Sequence, residues 1–248
     1  MKLSALVVVH NEEARLSACL DKLAFADETV VVLDRCTDKS REIALAHQAR
    51  LVEGAWELEG PRRNAGIEAC VGDWILEVDA DEHVTPELAA EIRRTVAASP
   101  YAIHLIPVDN WVGSRLVRYG WGASFGRGAY PGLFRKGAKR WGDERVHPRL
   151  ALSGARGPML TARLQHYLDR DFSDMIRRFD HYTSARAKDL RESGEIGSGP
   201  ANVRRIFSRF WKCYVARGGW REGGHGFLIA IFAGLYPFVS YLKAKYDP

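Results

Sequence analysis

Cysteine and methionine are scarce in this chain, with four and three residues among 248. Cys19, Cys36, Cys70 and Cys213 are widely separated, and no two have metal-ligand spacing. They read as separate, mostly buried thiols of a reducing compartment rather than a disulfide frame. There is no internal repeat, which excludes solenoid and propeller arrays. There is no uninterrupted apolar run of about 20 residues, the length a membrane-spanning helix needs. The longest, Phe227 to Leu242, contains Gly234 and Pro237, expected to interrupt it. The N-terminus, MKLSALVVVHNEE, lacks a small-residue cleavage site and turns acidic at once. It reads as a first strand, not a signal peptide, so a cytoplasmic protein is expected.

What is present is a globular composition, with 46% hydrophobic and 27% charged residues. Charge is uneven within a net of +5. Residues 1–150 hold 20 Lys and Arg against 22 Asp and Glu, whereas residues 151–248 hold 16 against 9. The basic excess therefore sits in the C-terminal part, where it can face nucleic acid, an anionic membrane or an acidic substrate.

Ser4 to Val9, Thr29 to Leu33 and Trp74 to Val78 are apolar runs suited to strands buried on both faces. Leu51–Val52 is a short further strand, and Tyr101 to Pro107 another. Between them lie helical patterns. Asn11 is expected to cap the first, ahead of Leu16, Cys19, Leu20 and Leu23. Asp38 is expected to cap the second, and Pro61 to open the third over Arg63 to Ala69. Thr85-Pro86-Glu87 starts a fourth, with Leu88, Ile92 and Val96 as its buried stripe. Such alternation predicts βαβ units and a mainly parallel sheet flanked by helices. Residues 111–145, dense in glycine and aromatics, predict a loop-rich region. Residues 172–193 read as helix, and Ser193 to Pro200 as a break. Residues 200–221 hold six Lys or Arg and no acid. On a helix there, Val203, Ile206, Phe207, Phe210 and Tyr214 share one face, with Arg204, Arg205, Arg209 and Lys212 away from it.

In parallel sheets ligands sit beyond the carboxyl ends of the strands. Three of those ends are polar: His10-Asn11-Glu12, Asp34 and Asp79-Ala80-Asp81. Two Asp one residue apart after a buried strand suit a hard divalent cation shared with a diphosphate, directly or through water. The plainer alternative is a polar loop capping the next helix. Asp34 suits a ribose or base acceptor, or simply a turn. Arg62, Arg63 and Asn64, at a helix start, suit phosphate or base; the alternative is a solvated basic pair. His10 can line the pocket, and His147 or His166 can complete a metal site as a neutral imidazole, though each also suits a structural role. Asp143 and Glu144 stand after the aromatic-rich stretch, where a general base for an acceptor hydroxyl would be placed.

Taken in order, VVVHNEEARLSACLDKLAFADETVVVLD, CTDKSREIA, GPRRNAGIEACVGDWILEVDADEHVTPELAAEI, GWGASFGRGAYPGLFRKG and DERVH resemble glycosyltransferase family 2, which has the GT-A fold. GPMLTARLQHY and GGHGFLIAIFAGLYPFVSYLKAKY extend the resemblance to about residue 245. Within the family it points to the lipopolysaccharide-core β-glucosyltransferase group. The resemblance implies inverting transfer from UDP-glucose or a similar donor, with Mg²⁺ or Mn²⁺. It implies that Asp34 binds the nucleoside and that Asp79 and Asp81 handle metal and diphosphate. Arg63 and Asn64 match the family's Q-R-N segment, with Arg62 in place of Gln. The D-S-x-S-T-D loop reads Asp34-Arg35-Cys36-Thr37-Asp38 here. Pro148 stands where the family has the Glu of V-H-E, so either Asp143 or Glu144 substitutes as base or activity is lost.

The resulting expectation has two parts. Residues 1–170 form a GT-A catalytic domain that binds nucleotide-sugar and acceptor. Residues 171–248 form a helical, membrane-associating appendage. The enzyme moves a sugar, glucose or a similar hexose, from a UDP-sugar to a hydroxyl of a glycan or glycolipid such as lipopolysaccharide core. Donor contacts fall to His10, Asn11, Glu12, Asp34, Arg63, Asn64, Asp79 and Asp81. Metal contacts fall to Asp79, Asp81, His166 and His147. The alternatives are an inactive nucleotide-sugar-binding partner and a nucleotidyltransferase; no Gly-rich phosphate loop near the N-terminus supports the latter. No nucleic-acid partner is expected, because the basic face is interleaved with an apolar one, which suits the cytoplasmic face of an inner membrane.

Overall fold

The structure is a computed structural model that describes residues 1–122, 126–144 and 148–247. The chain forms two compact units. The first comprises Met1–Val108 and Ala129–His166; the second comprises Asp109–Gly128 and Tyr167–Pro248.

The first unit starts with β1 (Leu3–Val9), α1 (Leu16–Asp21), β2 (Glu28–Asp34), α2 (Ser40–Ala46), β3 (Arg50–Gly54), α3 (Glu59–Ala69) and β4 (Trp74–Val78). It continues through β5 (Glu82–His83), α4 (Pro86–Ala98) and β6 (Ile103–Val112), whose last four residues belong to the second unit. β7 (Arg115–Val117) lies in the second unit. The first unit resumes with β8 (Ala129–Arg135), β9 (Lys139–Trp141), β10 (Leu150–Leu152) and β11 (Leu164–Asp169), of which the last three residues are again in the second unit. The strand order is β3-β2-β1-β4-β8-β6-β11-β5, with β9 and β10 as a separate hairpin. The β3-β2-β1-β4 part is parallel, and β8 joins β4 antiparallel. This is the expected helix-flanked α/β fold, with antiparallel strands added at one side of the parallel set.

Pleating decides which residues face which layer. Leu3, Ala5, Val7 and Val9 of β1, with Trp74, Leu76 and Val78 of β4, enter one core with Leu16, Leu20, Leu88 and Ile92. Leu6, Val8, Val30, Val32 and Ile75 enter the other core, with Ile67 of α3 and Phe134 of β8. Both faces of the sheet are covered, which is why these strands read as continuous apolar runs.

Thr85 caps α4 as expected, its hydroxyl accepting from Leu88 N at 3.2 Å. Asn11 does not cap α1. Its φ is 58°, and its Oδ1 accepts from Thr37 N at 2.8 Å and Asp38 N at 3.3 Å, so it braces the loop after β2 instead. The described residues of 111–145 are more regular than expected. β8 lies inside the sheet between β4 and β6, although its Pro131-Gly132 reads as a turn. The pair is accommodated where the β6 register shifts between His104 and Ile106, a place where proline costs no ladder hydrogen bond.

In the second unit, Asn110, Trp111 and Val112 of β6 pair with β7. α5 (Phe172–Ser193) begins at Asp171, whose carboxylate accepts from Asp174 N at 2.8 Å, and ends at Gly194 with φ 69°. α6 (Gly199–Trp211) follows, then a π-helical turn over Lys212–Ala216, a 3₁₀ turn over Gly219–Glu222, and α7 (Gly223–Tyr246). The expected interruption at Gly234 and Pro237 is absent, and α7 is continuous through both. Packing explains this. Gly234 lies against the α6 backbone, where a Cβ would come 2.8 Å from Ile206 O. Ile229, Ala230, Phe232, Ala233 and Tyr236 form the core of the unit with Met175 and Cys213. α7 is long and apolar enough to cross a membrane, but half of its apolar window is buried inside the protein.

Candidate active site

Asp34 ends β2 and Asp79 directly follows β4, the two strands that flank β1. Asp34 has the parity of Val30 and Val32, and Asp79 that of Ile75, so both project on the face that α3 covers. The consecutive arginines near the start of α3 divide between them. Arg62 Nη1 donates to Asp34 Oδ2 at 3.0 Å, and Arg63 Nη2 donates to Asp79 Oδ1 at 2.9 Å.

Asp34 is almost fully buried and also accepts from Arg35 Nε and Nη2 and from Trp56 N, each at 3.0 Å. Burial alone would push its carboxyl up. The hydrogen bonds from Arg35, Trp56 N and Arg62 outweigh that and hold it below the usual carboxylate range. His10 Nδ1 lies 2.6 Å from Asp34 O.

Arg63 anchors a buried ionic cluster. Its Nη1 donates to Glu77 Oε1 at 2.7 Å and its Nε to Glu59 Oε1 at 2.8 Å. Glu77 Oε2 accepts from Lys139 Nζ at 2.7 Å and from Trp141 Nε1 at 3.3 Å. Trp141 also lies under both cations, 5.0 Å from the Arg63 guanidinium carbon and 4.8 Å from Lys139 Nζ. Burial would raise the Glu77 carboxyl, but the two cations hold it below the ordinary value. Asn64 bonds both polar groups of the Trp141 backbone, at 2.9 and 3.0 Å, and so is committed to the hairpin strand.

Asp81 Oδ2 lies 3.4 Å from His166 Nε2 and 3.6 Å from Arg15 Nη1. Glu82 turns its carboxylate back onto Asp79 N at 2.9 Å, closing the D-x-D turn. Glu12 is in the same field. Burial pushes its carboxyl up, Arg15 pulls it down, and Asp81, Asp38 and Asp79 add to the upward shift. Among the described residues, no three or more His, Cys, Asp and Glu form a metal-holding group. A divalent cation that draws most ligands from a diphosphate and water needs only one or two carboxylates. The partly exposed side chains of Asp79 and Asp81 fit that requirement. His147 lies outside the described residues.

Asp143 is exposed, while Glu144 is tied into the β9–β10 hairpin. Its Oε2 accepts from Arg149 N at 3.0 Å and its Oε1 from Arg149 Nε at 2.5 Å. The Arg149 N–H, then the guanidinium, hold the Glu144 carboxyl below its usual value.

The printed distances gather the polar residues of the first unit into three groups: His10, Asp34 and Arg62; Arg63, Asp79 and Glu77; and Asp81, His166 and Arg15. Sequence reasoning missed Glu77, Arg15 and Lys139. Glu77 carried a signal, since an acid inside an otherwise apolar strand, one pleat from Asp79, needs buried cationic partners. Lys139 carried none.

Residues 4–147 match the family described as Glycosyl transferase family 2, and the chain belongs to that family. It is a glycosyltransferase with the GT-A fold. Along 98% of its length it is 26% identical to the lipopolysaccharide core biosynthesis glycosyltransferase LpsC of Rhizobium meliloti, covering 92% of that protein. It is 24% identical to an uncharacterized glycosyltransferase of Rickettsia typhi, over 98% of this chain and 87% of that one. A crystal structure of glucosyl-3-phosphoglycerate synthase from Mycobacterium tuberculosis with Mn²⁺, UDP and glucosyl-3-phosphoglycerate aligns with a TM-score of 0.38 at 20% identity. The alignment covers 44% of each chain, so this chain spans less than half of that enzyme's length.

Proposed function

We propose that this enzyme transfers a hexose, glucose or a close relative, from a UDP-sugar to a hydroxyl of a glycan or glycolipid acceptor such as lipopolysaccharide core, with inversion at the anomeric carbon. The observation that carries the reading is the division of Arg62 and Arg63 between the strand-end carboxylates Asp34 and Asp79. It sets both acids on one side of the sheet, which supports a nucleoside-facing role for Asp34 and a diphosphate-facing role for Asp79. The similarity to LpsC along nearly the whole chain supports the acceptor class.

In this reading His10, Asn11 and Asp34 line the nucleoside end, with Glu12 beside the diphosphate. Arg63 orients Asp79, and Asn64 shapes the wall through Trp141. Asp79 and Asp81, with His166 beside them and His147 as a further candidate, would hold Mg²⁺ or Mn²⁺, which would neutralise charge on the leaving diphosphate. Asp143 or Glu144 removes the acceptor proton as its oxygen forms the new bond to the anomeric carbon and the bond to the diphosphate breaks. The acceptor's lipid would hold the enzyme peripherally at the cytoplasmic face of the inner membrane.

Calorimetry tests the donor end. UDP should bind the wild type at least about tenfold more tightly with Mn²⁺ than with EDTA, and Asp81→Asn should abolish that difference without changing the fold. Equal affinity with and without metal in the wild type would sink the reading.

A further inference from the structure

α7, the most apolar segment, owes its composition to the core of its own unit. α6 carries apolar side chains that no such core explains. At about 100° per residue, Asn202, Ile206 and Phe210 fall on one side of α6. They are buried or half-buried there, against α7. The adjoining side, about 100° round the helix and turned outward, bears Val203, Phe207 and Trp211 in steps of four, and Val215 continues the row in the next turn. Phe207 is 71% exposed and Trp211 63%. Arg204, Arg205 and Lys212 are exposed alongside them, and no acid occurs from Ile196 to Arg221.

Single exposed apolar residues are ordinary, but four in a row on one helix side mark a docking surface. The charge decides what docks. A second copy would set one unbroken basic segment against another, which like-charge repulsion opposes. An anionic bilayer complements it. We propose that the outer row of α6 seats shallowly in the interface of an anionic membrane. Val203, Phe207, Trp211 and Val215 meet the acyl boundary, Arg204, Arg205 and Lys212 meet lipid phosphates, and α7 stays in the protein core. This rests on the peripheral-membrane reading above and names its surface. The indole of Trp211 suits the headgroup level, and the basic contacts weaken with salt.

The test is co-sedimentation of the full chain with phosphatidylglycerol-rich and with pure phosphatidylcholine vesicles. The wild type should pellet with the anionic vesicles at low salt, be released at high salt, and stay in solution with the neutral ones. Phe207→Ser/Trp211→Ser should bind the anionic vesicles about tenfold or more weakly with an unchanged melting curve, since both side chains are exposed. Arg204→Gln/Arg205→Gln/Lys212→Gln, which leaves the row intact, should weaken binding and flatten its salt dependence. A wild type that stays in the supernatant overturns both the row and the membrane reading. A serine variant that pellets like the wild type overturns the row alone and leaves membrane contact to another surface. Equal binding to neutral vesicles overturns the charge argument. A dimer that the serine variant loses, without vesicle binding by either protein, assigns the row to self-association and overturns the proposal.

Discussion

Arg63 holds Asp79 with one nitrogen and Glu77 with another, at 2.9 and 2.7 Å. Glu77 lies in β4 and Asp79 just past its end, one pleat further on, so a single guanidinium spans them, and Asp79 at the mouth of the site is oriented by a charge hidden behind it. Lys139, itself buried, shares Glu77 from the other side. The arrangement ties the geometry of the site to the stability of the first unit.

Glu77→Gln therefore leaves two buried cations without their shared countercharge. Breaking one partner of a buried ion cluster costs about 3–5 kcal/mol, and urea unfolding of the variant should show a loss of that size. The pH dependence has a definite sign. The folded carboxyl is held below its ordinary value. The contribution is thus full above the unfolded Glu value of about 4.3 and is lost as pH falls through the lower folded value. The advantage of the wild type over the variant should be constant near neutrality and shrink in acid. A variant within about 1 kcal/mol of the wild type at pH 7 would remove Glu77 from this role.

The base assignment separates two neighbouring acids. Glu144 spends both oxygens on Arg149 and is held acidic, which makes it a poor proton acceptor. Asp143 is the exposed member of the pair. Asp143→Asn should reduce turnover about 10²-fold or more, the scale of lost general-base catalysis, with donor affinity retained. Glu144→Gln should chiefly loosen the hairpin and change turnover less. Steady-state kinetics with donor binding measured in parallel decides it; normal turnover in both variants would place the base elsewhere.

Much of this was legible in the chain. The strands flanking β1 and the Thr85 cap follow from local rules, because apolar runs and an N-cap declare themselves over a few residues. Asn11 was misread because its oxygen serves a loop 26 residues away rather than its own helix. β8 was hidden in a stretch dense in glycine and aromatics because its Pro131 and Gly132 form a bulge within the strand, two residues facing Leu105 alone. The continuity of α7 depends on α6 lying against Gly234, a contact no local pattern encodes. At the site, the D-x-D and Asp34 were visible as strand ends. That Arg62 and Arg63 each take one of those acids was not, since the pairing needs the crossing of α3 over the sheet.

The nucleoside end has its own reporter. Cys36 sits between Asn11 and Asp34. Asn11 N lies 3.5 Å from its Sγ, and the thiol points toward Val9 O at 3.7 Å. It is half-buried, whereas Cys19, Cys70 and Cys213 are buried. Burial pushes all four thiols up, Cys70 to about 12. The attacking species is the thiolate. In the native protein, iodoacetamide should therefore label Cys36 alone, slowly at pH 7 and faster as pH rises past 9; in denaturant all four should react. If the nucleoside lies against Asp34 and its loop, UDP with Mn²⁺ far above its Kd should slow Cys36 labelling about tenfold or more, because only the unliganded fraction reacts. Peptide mass spectrometry reads the modified position directly. Labelling of Cys36 at an unchanged rate under saturating UDP, with binding verified by calorimetry, would put the nucleoside away from Asp34 and undo that part of the site.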